Sequence, residues 1–221
     1  MSAGVVGELG PGAVRTAPLD GEMTLSFVGR IAARFHLGVR EVLGAVVQVD
    51  TVQNLRGVLR PDSEVYFNAA ARARVAALCH VPEEHLHRAL PTWAQQEPAA
   101  YYRPGPSALV STGGESVGDW GPACGRCVAA RTGRTTAARR YLEPHQRVCA
   151  RHRVWLMAVP GTAGRCVDLG RCPEVVRAQA QHRKLLRRSP VAAGAFEVAR
   201  AVTVSWWERS WPEERMWPSR L

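Results

Sequence analysis

Apolar positions recur with a helical period over the first third of the chain. Leu25, Val28, Ile31, Ala32 and Phe35 fall at i, i+3, i+4 spacing, which predicts one amphipathic helix with Thr24 capping its first turn. His36-Leu37-Gly38 breaks the pattern, with Gly38 as the expected left-handed residue, and Val39, Val42, Leu43, Val46 and Val47 resume it. Two short helices across a tight Gly-containing turn have the outline of a helix-turn-helix, although any small helical hairpin shares it. The second helix offers only Arg40 and Glu41 near its start, poor equipment for reading bases. Tyr66 to Cys79 predicts a third helix, with Phe67, Ala70, Val75 and Leu78 facing one way. Val81-Pro82-Glu83-Glu84 predicts the start of a fourth, running to about Leu90.

The periodicity then stops. Residues 91–120 are rich in Pro and Gly and read as a connecting segment over the surface. Helical spacing returns from Pro173. Glu174 to Arg188 sets Val176, Ala180 and Leu185 or Leu186 against Arg177, Arg183, Lys184, Arg187 and Arg188, and Ala192 to Ser210 follows as a further helix. A short last helix is expected from Trp211-Pro212-Glu213-Glu214, with Trp217 after it. The tryptophans crowded at this end are expected to anchor it in a core, with a partner-docking face as the other reading. The expected organisation is a flexible tail 1–18, a helical unit 19–90, a linker 91–120, a cysteine-bearing segment 121–172 and C-terminal helices 173–221.

Charge changes the picture. The 221 residues carry a formal net charge of +10, almost all of it on arginine, as a GC-rich bacterial genome would encode. Between Gly121 and Pro190 stand 15 basic and 3 acidic residues, a net of +12, whereas the first 120 residues hold 10 and 12. Codon bias alone would spread the excess. Its concentration is either a solvated basic face or a nucleic-acid surface, to which Arg131, Arg134, Arg139, Arg140, Arg183, Arg187 and Arg188 are the expected phosphate contacts. No apolar run approaches the ~18–20 residues that span a bilayer, and the start lacks a signal-peptide pattern, so a cytoplasmic protein is expected.

Six cysteines fall at 79, 124, 127, 149, 166 and 172. Cys124-Gly-Arg-Cys127 and Cys149-Ala-Arg-His152 form a C-x2-C…C-x2-H array. Each pair aims two soft ligands at one point, and three thiolates with one imidazole complete a tetrahedral Zn2+ shell with no position left for water. One structural zinc is therefore expected. Cys166 and Cys172 lack knuckle spacing; His145 and His182 could in principle complete a second site with them. Cys79 lies on an apolar helix face as a small hydrophobe. His80, His85 and His87 cluster near Glu83 and Glu84, but no nucleophile motif, phosphate-binding loop or H-E-x-x-H is present, and surface histidines are the expected reading.

Pro18, Gly21-Glu22 and Leu25-Ser-Phe-Val-Gly-Arg-Ile-Ala32, followed by Cys124-x2-Cys127 and Val148-Cys149-x2-His152-Arg-Val-Trp-Leu156, resemble the TniQ family, accessory proteins of Tn7-like transposons. The likeness spans about Pro18 to Leu156. It departs from the family at Gly125, where Cys-Pro is common, and at the spacing of Cys166 and Cys172. The resemblance implies a helical N-terminal part with a helix-turn-helix, an embedded zinc ribbon ligated by Cys124, Cys127, Cys149 and His152, and a targeting role in bringing a transposition complex to DNA. The expectation is thus a mainly α protein, non-enzymatic, binding zinc and DNA. An adaptor or regulator docking proteins through its Trp-rich end and basic face is the alternative.

Overall fold

The structure, a computed structural model, describes residues 15–47, 64–95, 110–111, 120–156, 166–189 and 191–208. It is mainly helical and divides into two compact units, Met1–Arg171 and Cys172–Leu221. The helical part and the cysteine-bearing segment up to Arg171 thus fall within one unit.

The N-terminal helices are α1 (Thr24–Arg34), α2 (Val39–Val47), α3 (Ala69–Cys79) and α4 (Glu83–Ala89). They converge on one apolar core. Phe27, Val28 and Ile31 of α1 meet Val42, Leu43 and Val46 of α2, Val75 and Leu78 of α3, and Leu86 of α4. Trp93 is buried in the same cluster and meets Phe67 edge-on, with ring centroids 5.8 Å apart. Thr92 and Trp93 are therefore core residues rather than part of a surface linker. Buried Cys79 belongs to this core, and burial pushes its thiol up to about 11, so it serves as a small hydrophobe.

The turn between α1 and α2 differs from the expected one. His36, not Gly38, takes the left-handed conformation at φ 56°, and the Leu37 N–H donates back to the Ala32 carbonyl at 2.9 Å. Gly38 instead precedes α2, its N–H donating at 2.6 Å to Glu41, the third helical residue reaching back as in a capping box. Nor does Thr24 cap α1, since its hydroxyl pairs with Thr92 at 2.8 Å. The cap comes from Glu64, far along the chain, whose carboxylate accepts from the Leu25 N–H at 3.2 Å. The expected third helix starts late because Val65–Tyr66 is a strand, β1, paired antiparallel with β2 (Val110–Ser111). Asn68 then caps α3, accepting from the Ala71 N–H at 2.8 Å.

Glu64 is fully buried and also accepts from the Val65 N–H at 2.8 Å and the Tyr141 hydroxyl at 2.6 Å. Burial raises its pKa above the usual carboxylate range, outweighing the donors that lower it. A raised pKa means that the folded chain holds this proton to higher pH than the unfolded chain. Its contribution is then fully present below the unfolded value of about 4.3 and is lost as pH rises through the folded one. Denaturant titrations of wild type and Glu64→Gln from pH 4 to 8 should show the wild type's advantage shrinking as pH rises. An advantage that grows with pH would mean that the three donors dominate over burial.

The rest of the first unit is built of short elements: β3 (Trp120–Pro122), α5 (Gly125–Thr132), β4 (Arg139–Tyr141), β5 (Val148–Cys149), β6 (Val154–Leu156) and β7 (Cys166–Asp168). β3 and β4 pair antiparallel, and β5-β6-β7 form a three-stranded antiparallel sheet. The free edge of β4 takes up the segment before α1. Met23 N–H donates to the Arg139 carbonyl at 3.0 Å and Tyr141 N–H to the Gly21 carbonyl at 2.8 Å, with Gly21 at φ 71°. Residues 15–18, expected within the flexible tail, are held as well: the Thr16 N–H donates to the Cys79 carbonyl at 3.0 Å, and Thr16 and Pro18 are buried. The remainder of that tail lies outside the described residues, as do most of 91–120, the expected last helix at Trp211 and Trp217.

The second unit is a pair of helices, α6 (Pro173–Arg188) and α7 (Val191–Glu208). His182 stacks on Phe196 between them, centroids 3.9 Å apart. Trp206 and Trp207 are not the core anchors expected from the sequence, for they are 61 % and 88 % exposed. The reason lies in their neighbours: α7 keeps Val191, Val198, Val202 and Val204 exposed as well, so no core reaches them. No described helix is long and apolar enough to cross a membrane.

Candidate metal centre

Cys124, Cys127, Cys149 and His152 come together. Their ligand atoms all lie within 4.8 Å of one another. His152 Nδ1 is 3.3 Å from both Cys124 Sγ and Cys127 Sγ and 3.5 Å from Cys149 Sγ, and Cys127 and Cys149 sulfurs are 3.6 Å apart. A tetrahedral shell with metal–sulfur bonds of about 2.3 Å and metal–nitrogen bonds of about 2.0–2.1 Å requires S···S near ~3.8 Å and S···N near ~3.6 Å. The four atoms therefore already stand close to the separations that one such ion imposes.

Two local structures supply the pairs. Cys124 precedes α5 as its N-cap and Cys127 sits in its first turn, where the positive end of the helix dipole favours thiolate. Cys149 ends β5, and the chain turns through His152 and Arg153 into β6, with the His152 N–H donating to the Cys149 carbonyl at 3.2 Å and Arg153 left-handed at φ 50°. The second pair is thus a hairpin knuckle. The first is a helix start, where a ribbon of short strands was expected.

Few apolar residues support this centre. Cys124, Leu142 and Leu156 are its buried cluster, with Cys127, Cys149, Val154 and Cys166 packed against it. At Gly121 a Cβ would stand 2.7 Å from Leu142 Cδ1, so a larger residue there would make that side chain shift. Burial, and then the neighbouring Cys149 and Cys124, push the Cys127 thiol well above its ordinary range. Three thiolates in so small a volume repel one another, and a divalent cation is what offsets that repulsion.

The expected phosphate contacts are placed unequally. Arg131 and Arg134 are exposed, in the last turn of α5 and just beyond it. Arg139 and Arg140 are half-buried on β4. The Arg139 guanidinium lies over the Trp120 ring at 5.7 Å, and Arg140 faces Asp20 at 3.6 Å. Both therefore already have partners within the first unit. Arg126, Arg151 and Arg153, which charge reasoning did not single out as contacts, are exposed beside the ligands with which they alternate in sequence. In the second unit Arg187 and Arg188 are exposed and Arg183 is half-buried on α6. His80, His85 and His87 are exposed, and Glu83 is engaged by Arg72 at 3.0 Å.

The family-resemblance residues before the metal centre form a second constellation. Glu22 is fully buried and holds buried Arg30 bidentately, Nε to Oε1 at 2.8 Å and an Nη to Oε2 at 2.6 Å. The same carboxylate accepts from the Leu19 N–H at 2.9 Å and from Ser26 Oγ at 3.2 Å. Ser26 Oγ in turn accepts from the Arg139 N–H on β4 at 2.8 Å. The network ties α1 to the metal-bearing segment. No known family model matches the chain, and neither curated proteins nor solved structures gave a match.

Proposed function

We propose that the protein is a non-enzymatic zinc protein that binds DNA and serves a targeting role of the TniQ kind. The observation that carries the DNA reading is the setting of the metal centre. Arg126 and Arg131 on α5, Arg134 just beyond it, and Arg151 and Arg153 in the turn between β5 and β6 are all exposed. Zinc suits the donor set, because three sulfurs and one nitrogen at tetrahedral spacing leave no coordination position for substrate. The ion would then clip helix α5 to the β5–β6 hairpin and fix the arginines they carry. Contacts of this kind go to phosphates and give affinity without base readout. The α1–α2 pair, which has a helix-turn-helix outline, presents exposed Arg40 beside exposed Glu41 and adds little charge.

Each phosphate contact adds about 0.9 to the slope of log affinity against log salt on duplex DNA. Changing Arg131 and Arg134 together to Gln should weaken binding to all sequences alike and flatten that slope by about 2 units. The measurement is fluorescence anisotropy at several salt concentrations, with metal content checked for each variant. Wild-type protein that binds no DNA at low salt would remove this reading. One observation favours the adaptor alternative in that event: Trp206 and Trp207 stand exposed on α7 with four exposed valines, as a protein-docking face would.

A further inference from the structure

Cys166 stands apart from the C-x2-C and C-x2-H pairs in sequence, yet the fold delivers it to them. It opens β7, directly across from Leu156 at the end of β6, the strand that leaves the knuckle of Cys149 and His152. The side chain packs on the small cluster of Cys124, Leu142 and Leu156, alongside Cys127 and Cys149. Its sulfur accepts from the backbone N–H of Gly125, the residue after Cys124 and the first of α5. The ligand atoms of Cys124, Cys127, Cys149 and His152 lie within 4.8 Å of one another, and Cys166 stands just outside that group, packed against it.

We propose that Cys166 is a reserve ligand of the metal centre, able to replace His152 so that the ion passes from three sulfurs and one nitrogen to four sulfurs. This rests on the metal reading above. A tetrahedral d10 ion accepts either shell, and closed sites of three thiolates with one imidazole, or of four thiolates, both serve as structural centres. On entering the shell the Cys166 thiol gives its proton to solvent and the imidazole leaves as a neutral donor. His152 is the ligand suited to leave: it is the one nitrogen donor and sits in the hairpin turn, half-buried as Cys127 and Cys149 are, whereas Cys124 is buried at the start of α5. The consequence is a centre that keeps a soft divalent cation when its one nitrogen ligand is withdrawn. Cys172 is the N-cap of α6, in the second unit.

Cobalt(II) added to the metal-free full-length protein reads the shell directly, because sulfur-to-cobalt charge-transfer absorption grows with each thiolate bound. Wild type and Cys166→Ser should each bind one cobalt with the same spectrum. His152→Ala should still bind one, with stronger charge-transfer absorption and shifted ligand-field bands as the fourth sulfur enters. His152→Ala/Cys166→Ser should lose stoichiometric binding. Loss of cobalt from His152→Ala as complete as from Cys124→Ser would overturn the proposal, folded or not, because ligation and folding are one equilibrium here. So would a spectrum of Cys166→Ser that differs from wild type, which would make Cys166 a resident ligand. Wild-type protein that takes up no cobalt at all fails at the earlier step, the metal reading itself.

Discussion

Replacing Cys124 or Cys149 with serine is expected to abolish metal binding and to unfold the segment from Gly121 to Leu156. The size of the effect follows from how little else holds that segment. Its buried apolar residues form two small clusters, Cys124, Leu142 and Leu156 in one and Ala123, Val128 and Ala138 with Leu19 in the other, and its strands are only two or three residues long. Fully burying a leucine or valine contributes roughly 1.5–3 kcal/mol, so Leu142, Leu156, Val128, Val148 and two alanines cannot offset the backbone entropy of ordering over thirty residues at about 1–2 kcal/mol each. A structural zinc contributes an apparent ~10–16 kcal/mol in small zinc domains, and only when the ligand set is complete. Elemental analysis of wild type should return one zinc per chain, and either serine variant close to none. Hydrogen exchange should then lose protection across β3–β6 while the core of Phe27, Val75 and Leu86 keeps its own. Cys172→Ser should leave both measurements unchanged. Two zincs per chain, or a Cys124→Ser variant that retains metal, would contradict this account.

What could be read in advance divides along a physical line. The four ligands were legible because metal chemistry demands close pairs, and a C-x2-C or C-x2-H spacing brings two donors to one point. Helices α1 and α2 were legible because each buries one face, and α6 because it sets apolar residues against basic ones with a 3.6-residue period, although none of them is buried. Helix α5 escaped notice, as it is 8 residues long, opens on Gly125 and buries only Val128. Strands β1 and β2 are 2 residues each and pair across more than forty residues of chain, so no local pattern marks them. Glu64 was missed for the same reason: an N-cap supplied from 39 residues away leaves no trace at Thr24. A signal for the Glu22–Arg30 pair was nonetheless present. Arg30 stands inside the apolar run Phe27-Val28-Gly29-Arg30-Ile31-Ala32, where an arginine must either reach solvent or find an acid, and Glu22 lies two helical turns before it. The arginines of β4 carried the opposite lesson. A basic pair reads as surface from charge alone, and only the register of β4 with β3 shows Arg139 and Arg140 opposite Pro122 and Gly121.

Substituting Arg30 with methionine, or Glu22 with glutamine, is expected to cost about 3–5 kcal/mol, the range for removing one partner of a buried ion pair. Both side chains are at most 3 % exposed, so water cannot take over the lost partner. The two changes differ in what they leave behind. Arg30→Met strands a buried carboxylate that retains the Leu19 N–H and Ser26 hydroxyl as donors. Glu22→Gln leaves a buried guanidinium without a countercharge, held by one amide oxygen, the Ala17 carbonyl at 2.9 Å and the Phe27 ring at 5.5 Å. Because the Glu22 carboxylate also positions Ser26, whose hydroxyl accepts from β4, either loss should loosen the seam between α1 and the metal-bearing segment before it melts the helices. Urea denaturation followed by circular dichroism gives the global cost, which is a large share of a typical total of about 5–15 kcal/mol. Hydrogen exchange at Met23, Arg139 and Tyr141, the amides of that seam, gives the local one. The double variant Glu22→Leu/Arg30→Met is the decisive comparison. With both charges gone, the burial penalty goes too, and it should recover much of the stability lost by either single change while the β4 amide of Arg139 stays less protected than in wild type. A single variant that costs under about 1 kcal/mol would show that the pair is not the tie between the helices and the metal centre.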